Sequence, residues 1–175
     1  MKRKLAVVLL ICISCHMGWA AQDFVWKSGQ NMKVVCDTTE APVVKVALDL
    51  LKRDCRSVLS GNISRSENTG NIYVGTWGES SVLQALAETR QLDVALLNEH
   101  KEAFLLNVLP DGRLIVAGSD KRGTAYGVLE LSRMMGVSPW EWWADAVPEK
   151  KEELRLPAGF RKLDYPQVAY RGIFI

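Results

Sequence analysis

Apolar and polar residues are spaced along the chain in patterns that switch between strand-like and helix-like. Short apolar runs at 32–37 and 71–76 predict strands. Between them, six apolar residues recur at intervals of three and four: Val44, Ala47, Leu48, Leu51, Cys55 and Val58. This spacing predicts an amphipathic helix over 41–61, with Gly61 as its stop, and a shorter helix is predicted at 80–89.

The clearest local pattern is a hairpin followed by a helix. Two apolar runs flank Asp111 and Gly112 in EAFLLNVLPDGRLIVAGS. An Asp-Gly pair supplies the positive φ angles of a tight turn, so strands near 102–109 and 113–118 are expected to pair antiparallel. A helix over about 122–135 follows. The order β-α-β-α-β-β-α predicts an α/β fold of the α+β kind, a small mixed sheet with two to three helices packed on it.

The two ends of the chain differ from this middle. Residues 1–20 combine a basic start, an apolar core and small residues at a cleavage position near Ala20, which predicts a signal peptide and a periplasmic or secreted protein. A lipoprotein acylated at Cys15 is the less favoured alternative. Residues 21–147 are expected to form an N-terminal α/β accessory domain, 148–166 an irregular charged linker, and 167–175 the first strand of a further domain that is cut off.

Charge and composition narrow the function. The whole chain has a formal net charge of +2, but the leader holds three of its 22 basic residues. The remaining 19 face 20 acidic residues, so the mature chain is near neutral and gives no indication of nucleic-acid binding. No transmembrane segment is expected in it. Cys36 and Cys55 fit a pair of buried thiols as well as a bridge, and neither a metal site nor a cofactor is predicted.

The loop GSDKRGTAYG leaves two interpretations open. Gly118 and Gly123 have the spacing of a phosphate loop, but the lysine such a loop needs after its second glycine is missing. A structural interpretation is stronger: Asp120 caps the helix that follows, and Gly123 and Gly127 share a helix face that approaches the sheet closely, with Tyr126 beside it. The alternative is an anion site, in which free N–H groups at the helix start bind a carboxylate.

A second cluster, SPWEWWAD, places Trp140, Trp142 and Trp143 within four residues. Tryptophan faces stack on sugar rings and also bury large areas at domain interfaces, and the sequence favours the interface. If the domain touches substrate, the candidate contacts are Lys121 and Arg122 for a uronate carboxylate, and Trp142 or Trp143 for stacking.

Together, GSDKRGTAYGVLELS, GVSPWEWWAD and YRGIFI resemble the N-terminal region of glycoside hydrolase family 115, the xylan α-1,2-glucuronidases. The resemblance implies an α/β domain ahead of a (β/α)8 barrel that is absent here, with its own barrel and glucuronoxylan or its oligosaccharides as partners. It implies a parent that removes glucuronic acid or its 4-O-methyl ether from xylan by inversion. No catalytic residue is expected in these 175 residues, which should be inactive alone. A stand-alone carbohydrate-binding or interaction module is the alternative.

Overall fold

The computed structural model describes residues 20–89 and 91–171, apart from the side chain of Trp142. The expected signal peptide lies outside these residues except for Ala20. Within them the strands are β1 (Phe24–Lys27), β2 (Asn31–Cys36), β3 (Asn62–Ser66), β4 (Ile72–Thr76), β5 (Phe104–Val108), β6 (Leu114–Gly118), β7 (Glu153–Leu156) and β8 (Arg161–Asp164). The helices are α1 (Pro42–Leu59), α2 (Ser81–Glu88), α3 (Lys121–Met135) and α4 (Glu141–Ala144), with a 3-10 turn at Ala95–Asn98.

Six strands form the main sheet in the order β3-β2-β4-β6-β5-β8. Strands β3, β2, β4 and β6 are parallel neighbours, whereas β5 runs antiparallel to both β6 and β8. Strands β1 and β7 pair separately as a two-stranded antiparallel sheet. The predicted α/β fold class is confirmed.

Helices cover both faces of the main sheet. Val34, Val74 and Val116 point to one face and pack with apolar residues of α1 and α3. Their chain neighbours point to the other face, where they pack with α2 and the 3-10 turn. Because both faces are buried, the central strands are continuous apolar runs rather than alternating ones. None of the described helices is long and apolar enough to span a membrane.

Two turns differ from the expected ones. Helix α1 ends at Leu59 and is capped by Ser60, which adopts a left-handed conformation with φ 52°; the stop is therefore not Gly61. In the β5–β6 hairpin only Gly112 has a positive φ, at 80°, so Asp111 and Gly112 do not form a two-residue turn. Instead Gly112 N–H donates to Leu109 O at 2.9 Å and Leu109 N–H to Arg113 O at 2.8 Å, which makes a longer turn with glycine at its left-handed position.

The interval 148–166, expected to be irregular, contains two paired strands. Strand β7 pairs with β1, and β8 extends the main sheet beyond β5. Both strands have four residues and carry charged side chains, which suits strands at a sheet edge and hides them from a search for apolar runs. Residues 167–171 have no regular secondary structure, and 172–175 lie outside the described part of the chain.

The two cysteines of the domain are free and buried. Cys36 ends β2 and Cys55 lies on the inner face of α1. Burial raises the pKa of each thiol to about 11. Both thiols are therefore protonated near neutral pH.

Candidate functional site

The loop between β6 and α3 is organised by one carboxylate. Asp120 Oδ1 accepts the N–H groups of Arg122 and Gly123, both at 2.9 Å, and so caps α3. Its Oδ2 accepts the N–H of Glu102, two residues before β5, at 2.8 Å. Two of the helix-start N–H groups that an anion would need are therefore already occupied.

The glycines behind this cap let α3 lie directly on the sheet. A Cβ on Gly123 would stand 2.0 Å from Ala103 O, and one on Gly127 would stand 2.8 Å from Val116 Cγ1. Any side chain at Gly123 would therefore collide with backbone. The ring of Tyr126, on the same turn, is 38% exposed.

A buried polar network lies where β4 ends against α3. The Glu40 carboxylate, 4% exposed, accepts the Thr76 N–H at 3.0 Å and the Thr76 hydroxyl at 2.9 Å. The Thr76 and Thr124 hydroxyls are 2.8 Å apart. This network joins the loop after β2 to the start of α3. Because its members lie 36 and 48 positions apart, no local pattern reveals it.

Glu102 gathers a second cluster at the surface. It adopts φ 56°, and its carboxylate accepts Arg122 Nη1 at 3.0 Å and Arg171 Nη2. Arg171 Nη2 also lies 3.4 Å from the Tyr126 hydroxyl. The hydrogen bonds from Arg171 and then Arg122 lower the pKa of Glu102, so the carboxylate is held in its charged form.

A groove of about 470 Å³, here called the α1–α3 groove, lies on the outer side of these two helices. Its apolar lining includes Leu129 and Trp143, of which Trp143 is 79% exposed. The full lining is Leu50, Arg53, Asp54, Phe104, Tyr126, Leu129, Glu130, Ser132, Arg133, Val137, Ser138, Pro139 and Trp143. The groove is thus an apolar, aromatic cleft with charged rims.

The charged rim residues are paired. Arg133 binds Glu130 through two nitrogens at 2.7 and 2.5 Å, and Lys162 Nζ reaches Glu130 at 2.6 Å. Burial acts to raise the pKa of Glu130, but the two cations outweigh it and lower that pKa. On the opposite rim, Arg53 reaches Asp54 at 2.7 Å. These charged side chains therefore each have at least one partner of opposite charge.

The sequence-predicted contacts are not brought together. Lys121 and Arg122 are exposed in the first turn of α3, and neither belongs to the described lining of the groove. Trp143 does line it, and Trp142 lies in α4 with its side chain outside the described atoms. The two halves of the expected sugar contact, cationic and aromatic, therefore occupy separate surfaces.

The carboxyl groups with clearly shifted pKa values share one direction. Hydrogen bonds and ion pairs lower the pKa in each case: Asp23, Asp93, Glu102, Glu130 and Glu153. A glycosidase general acid needs a raised pKa, so these five groups are unsuited to that role. Within residues 20–89 and 91–171, no group of three His, Cys, Asp or Glu side chains is placed to hold a metal.

Comparisons with known proteins include a match at high identity. Neither a scan against protein-family models nor a search of curated proteins found a match. Among solved structures, the chain is 55% identical to the family GH115 4-O-methyl-α-glucuronidase BtGH115A, described as having specificity for decorated arabinogalactans. The match covers 87% of this chain with a TM-score of 0.80, but this chain spans only 20% of that protein.

Two further structures share the fold at lower identity. CpGH84D is 17% identical over 85% of this chain and 22% of its own, with a TM-score of 0.58. A mutant Streptomyces plicatus β-hexosaminidase in complex with GlcNAc is 17% identical over 85% of this chain and 24% of its own, with a TM-score of 0.51. These two show the fold alone. Over most of its own length, this chain is therefore similar to part of a family GH115 enzyme at 55% identity.

Proposed function

We propose that this chain is the N-terminal, non-catalytic domain of an exported family 115 glycoside hydrolase. The parent would remove glucuronic acid or its 4-O-methyl ether from polysaccharide side chains by inverting hydrolysis. The 55% identity to a family GH115 4-O-methyl-α-glucuronidase carries the proposal. The pattern at 1–20 supports export.

A non-catalytic role agrees with the chemistry of the described carboxylates. Asp120 is engaged by backbone N–H groups, and Glu102 and Glu130 are each held by two cations. Inverting hydrolysis needs one carboxyl as acid and another as base, with room for a water between them. These three carboxylates serve the scaffold instead.

The α1–α3 groove favours a structural role for the domain, as a surface that packs against another domain. An exposed Trp143 beside a half-exposed Leu129 and Tyr126 forms a contiguous apolar surface, and such surfaces mark interaction sites. We propose that this surface packs against the catalytic barrel of the parent. Because the Glu130, Arg133, Arg53 and Asp54 side chains each have a partner of opposite charge, such a contact would bury none of them unpaired.

A longer GH115 enzyme that carries this domain tests the proposal through Trp143→Ala, with Trp140→Ala as the matched control. Trp140 is also exposed but does not line the groove. We expect Trp143→Ala to lower the melting temperature of the longer enzyme and to leave KM unchanged, because an interface aromatic is lost. A raised KM with unchanged stability would instead favour a sugar-binding platform, as in the module alternative.

The substrate is the second point to test. The resemblance implies glucuronoxylan, whereas the similar enzyme is described by its specificity for decorated arabinogalactans. Side-by-side release of glucuronic acid from both polysaccharides by the longer enzyme separates them. We propose xylan as the substrate, and release from arabinogalactan only would contradict that part.

A further inference from the structure

Residues Tyr165–Arg171, here called the strap, follow β8 and have no regular secondary structure. Most of the strap is exposed, and Tyr170 is 95% exposed. The strap is nevertheless held near both of its ends. At the first end, the Tyr165 ring stacks on His100 with centroids 3.6 Å apart and planes inclined by 6°.

At the second end, Arg171 contacts Glu102 and Tyr126, two side chains of the folded domain. The Glu102 backbone is fixed by the carboxylate of Asp120, and its side chain is only 17% exposed. Arg122 occupies Glu102 Oε1, which leaves Oε2 facing Arg171. Tyr126 adds its hydroxyl from the next turn of α3. The segment before β5 and helix α3 thus each present one acceptor to the same guanidinium.

Arg171 also ties the strap to itself. Its Nη1 donates to Val168 O at 2.7 Å, while Nη2 is directed at Glu102 and Tyr126. A guanidinium has five donors in a fixed fork, so it can bond to Val168 O, Glu102 and Tyr126 at the same time. Arg171 therefore both closes the exposed turn at 168–171 and attaches it to Glu102, before β5, and to Tyr126 of α3.

We propose that Glu102, Arg122 and Tyr126 form a binding site for the Arg171 side chain, and that this site fixes the direction in which the chain leaves this domain. A single exposed ion pair would hold such a segment weakly. Here a stacked ring at Tyr165 and a shared guanidinium at Arg171 bracket five intervening residues, which leaves them little freedom. The strap is therefore a rigid connection.

Backbone ¹⁵N relaxation of the 175-residue chain tests this directly. We expect amides 168–171 to have order parameters near 0.85 in the unsubstituted chain, and below about 0.6 in Glu102→Gln and in Arg171→Gln. Glu102→Gln keeps the shape of the side chain, and Arg171→Gln alters no residue of the domain core, so one of them reports even if the other misfolds.

Glu99→Gln is the matched control. Glu99 is exposed, lies three positions from Glu102, and has no ion pair among the described residues. Its variant should keep the strap rigid. A rigid strap in both Glu102→Gln and Arg171→Gln would overturn the proposal, as would equal loosening in Glu99→Gln, which would indicate a general charge effect. The measurement needs no activity and is independent of the proposed function.

Discussion

Replacing Asp120 by Ala removes the residue that organises the β6–α3 loop. The substitution deletes the helix cap on Arg122 and Gly123 and the third hydrogen bond, to Glu102 N–H. Loss of an N-cap costs about 1 kcal/mol, and loss of a further hydrogen bond to a charged group costs about 1.5 kcal/mol. We therefore expect the free energy of unfolding to fall by about 2–3 kcal/mol.

Urea unfolding of the chain measures this difference, with an unchanged m-value as the sign that only stability has changed. Asp120→Asn should lower the free energy of unfolding by less than Asp120→Ala does, because Asn also caps helices well. Asp49→Ala is the control, since Asp49 is exposed on α1 and should change stability by less than about 0.5 kcal/mol. If Asp120→Ala proved no more destabilising than Asp49→Ala, the loop would not depend on this carboxylate.

Three further predictions follow from packing and pKa. Gly123→Ala should destabilise the chain by about 1–3 kcal/mol despite its gain in helix propensity, because its Cβ meets Ala103 O; a more stable variant in urea would refute the close approach. Cys36 and Cys55 have pKa values of about 11, so at pH 8 they should be alkylated at least about 100-fold more slowly in the folded chain than after unfolding. Mass spectrometry measures these rates, and equal rates would contradict the burial of the two thiols. Glu130 has a lowered pKa, so its contribution to stability is full above the ordinary glutamate pKa of about 4.3 and is lost as pH falls through the folded pKa. Acid unfolding should therefore show that the unsubstituted chain and Glu130→Gln become equally stable once the pH is below the folded pKa of Glu130. A difference in stability that stayed constant with pH would argue against the ion pairs.

The sequence predicts best what depends on neighbouring residues. Helices α1 and α3 could be predicted because their apolar residues repeat at helical spacing. The Asp120 cap could be proposed because cap and partner lie two and three residues apart. Strands β7 and β8 could not be predicted, since each is short and charged and exists only through pairing with a distant strand.

The candidate site shows the same limit. The groove requires α1, α3 and Trp143 to meet, and the Glu102–Arg171 contact joins residues 69 positions apart. Composition suggested Lys121 and Arg122 as partners for a carboxylate because they are cationic. The fold instead gives Arg122 a carboxylate of its own, Glu102, which no local pattern could indicate.

The most direct test of the central claim is release of glucuronic acid, or its 4-O-methyl ether, from glucuronoxylan and arabinogalactan. The 175-residue chain and a longer GH115 enzyme that contains it would be assayed at equal concentration. The account predicts release by the longer enzyme and none above the enzyme-free background by the chain alone. Release by the chain alone would contradict a non-catalytic domain and direct the search for catalytic residues to Asp120, Glu102 and Glu130.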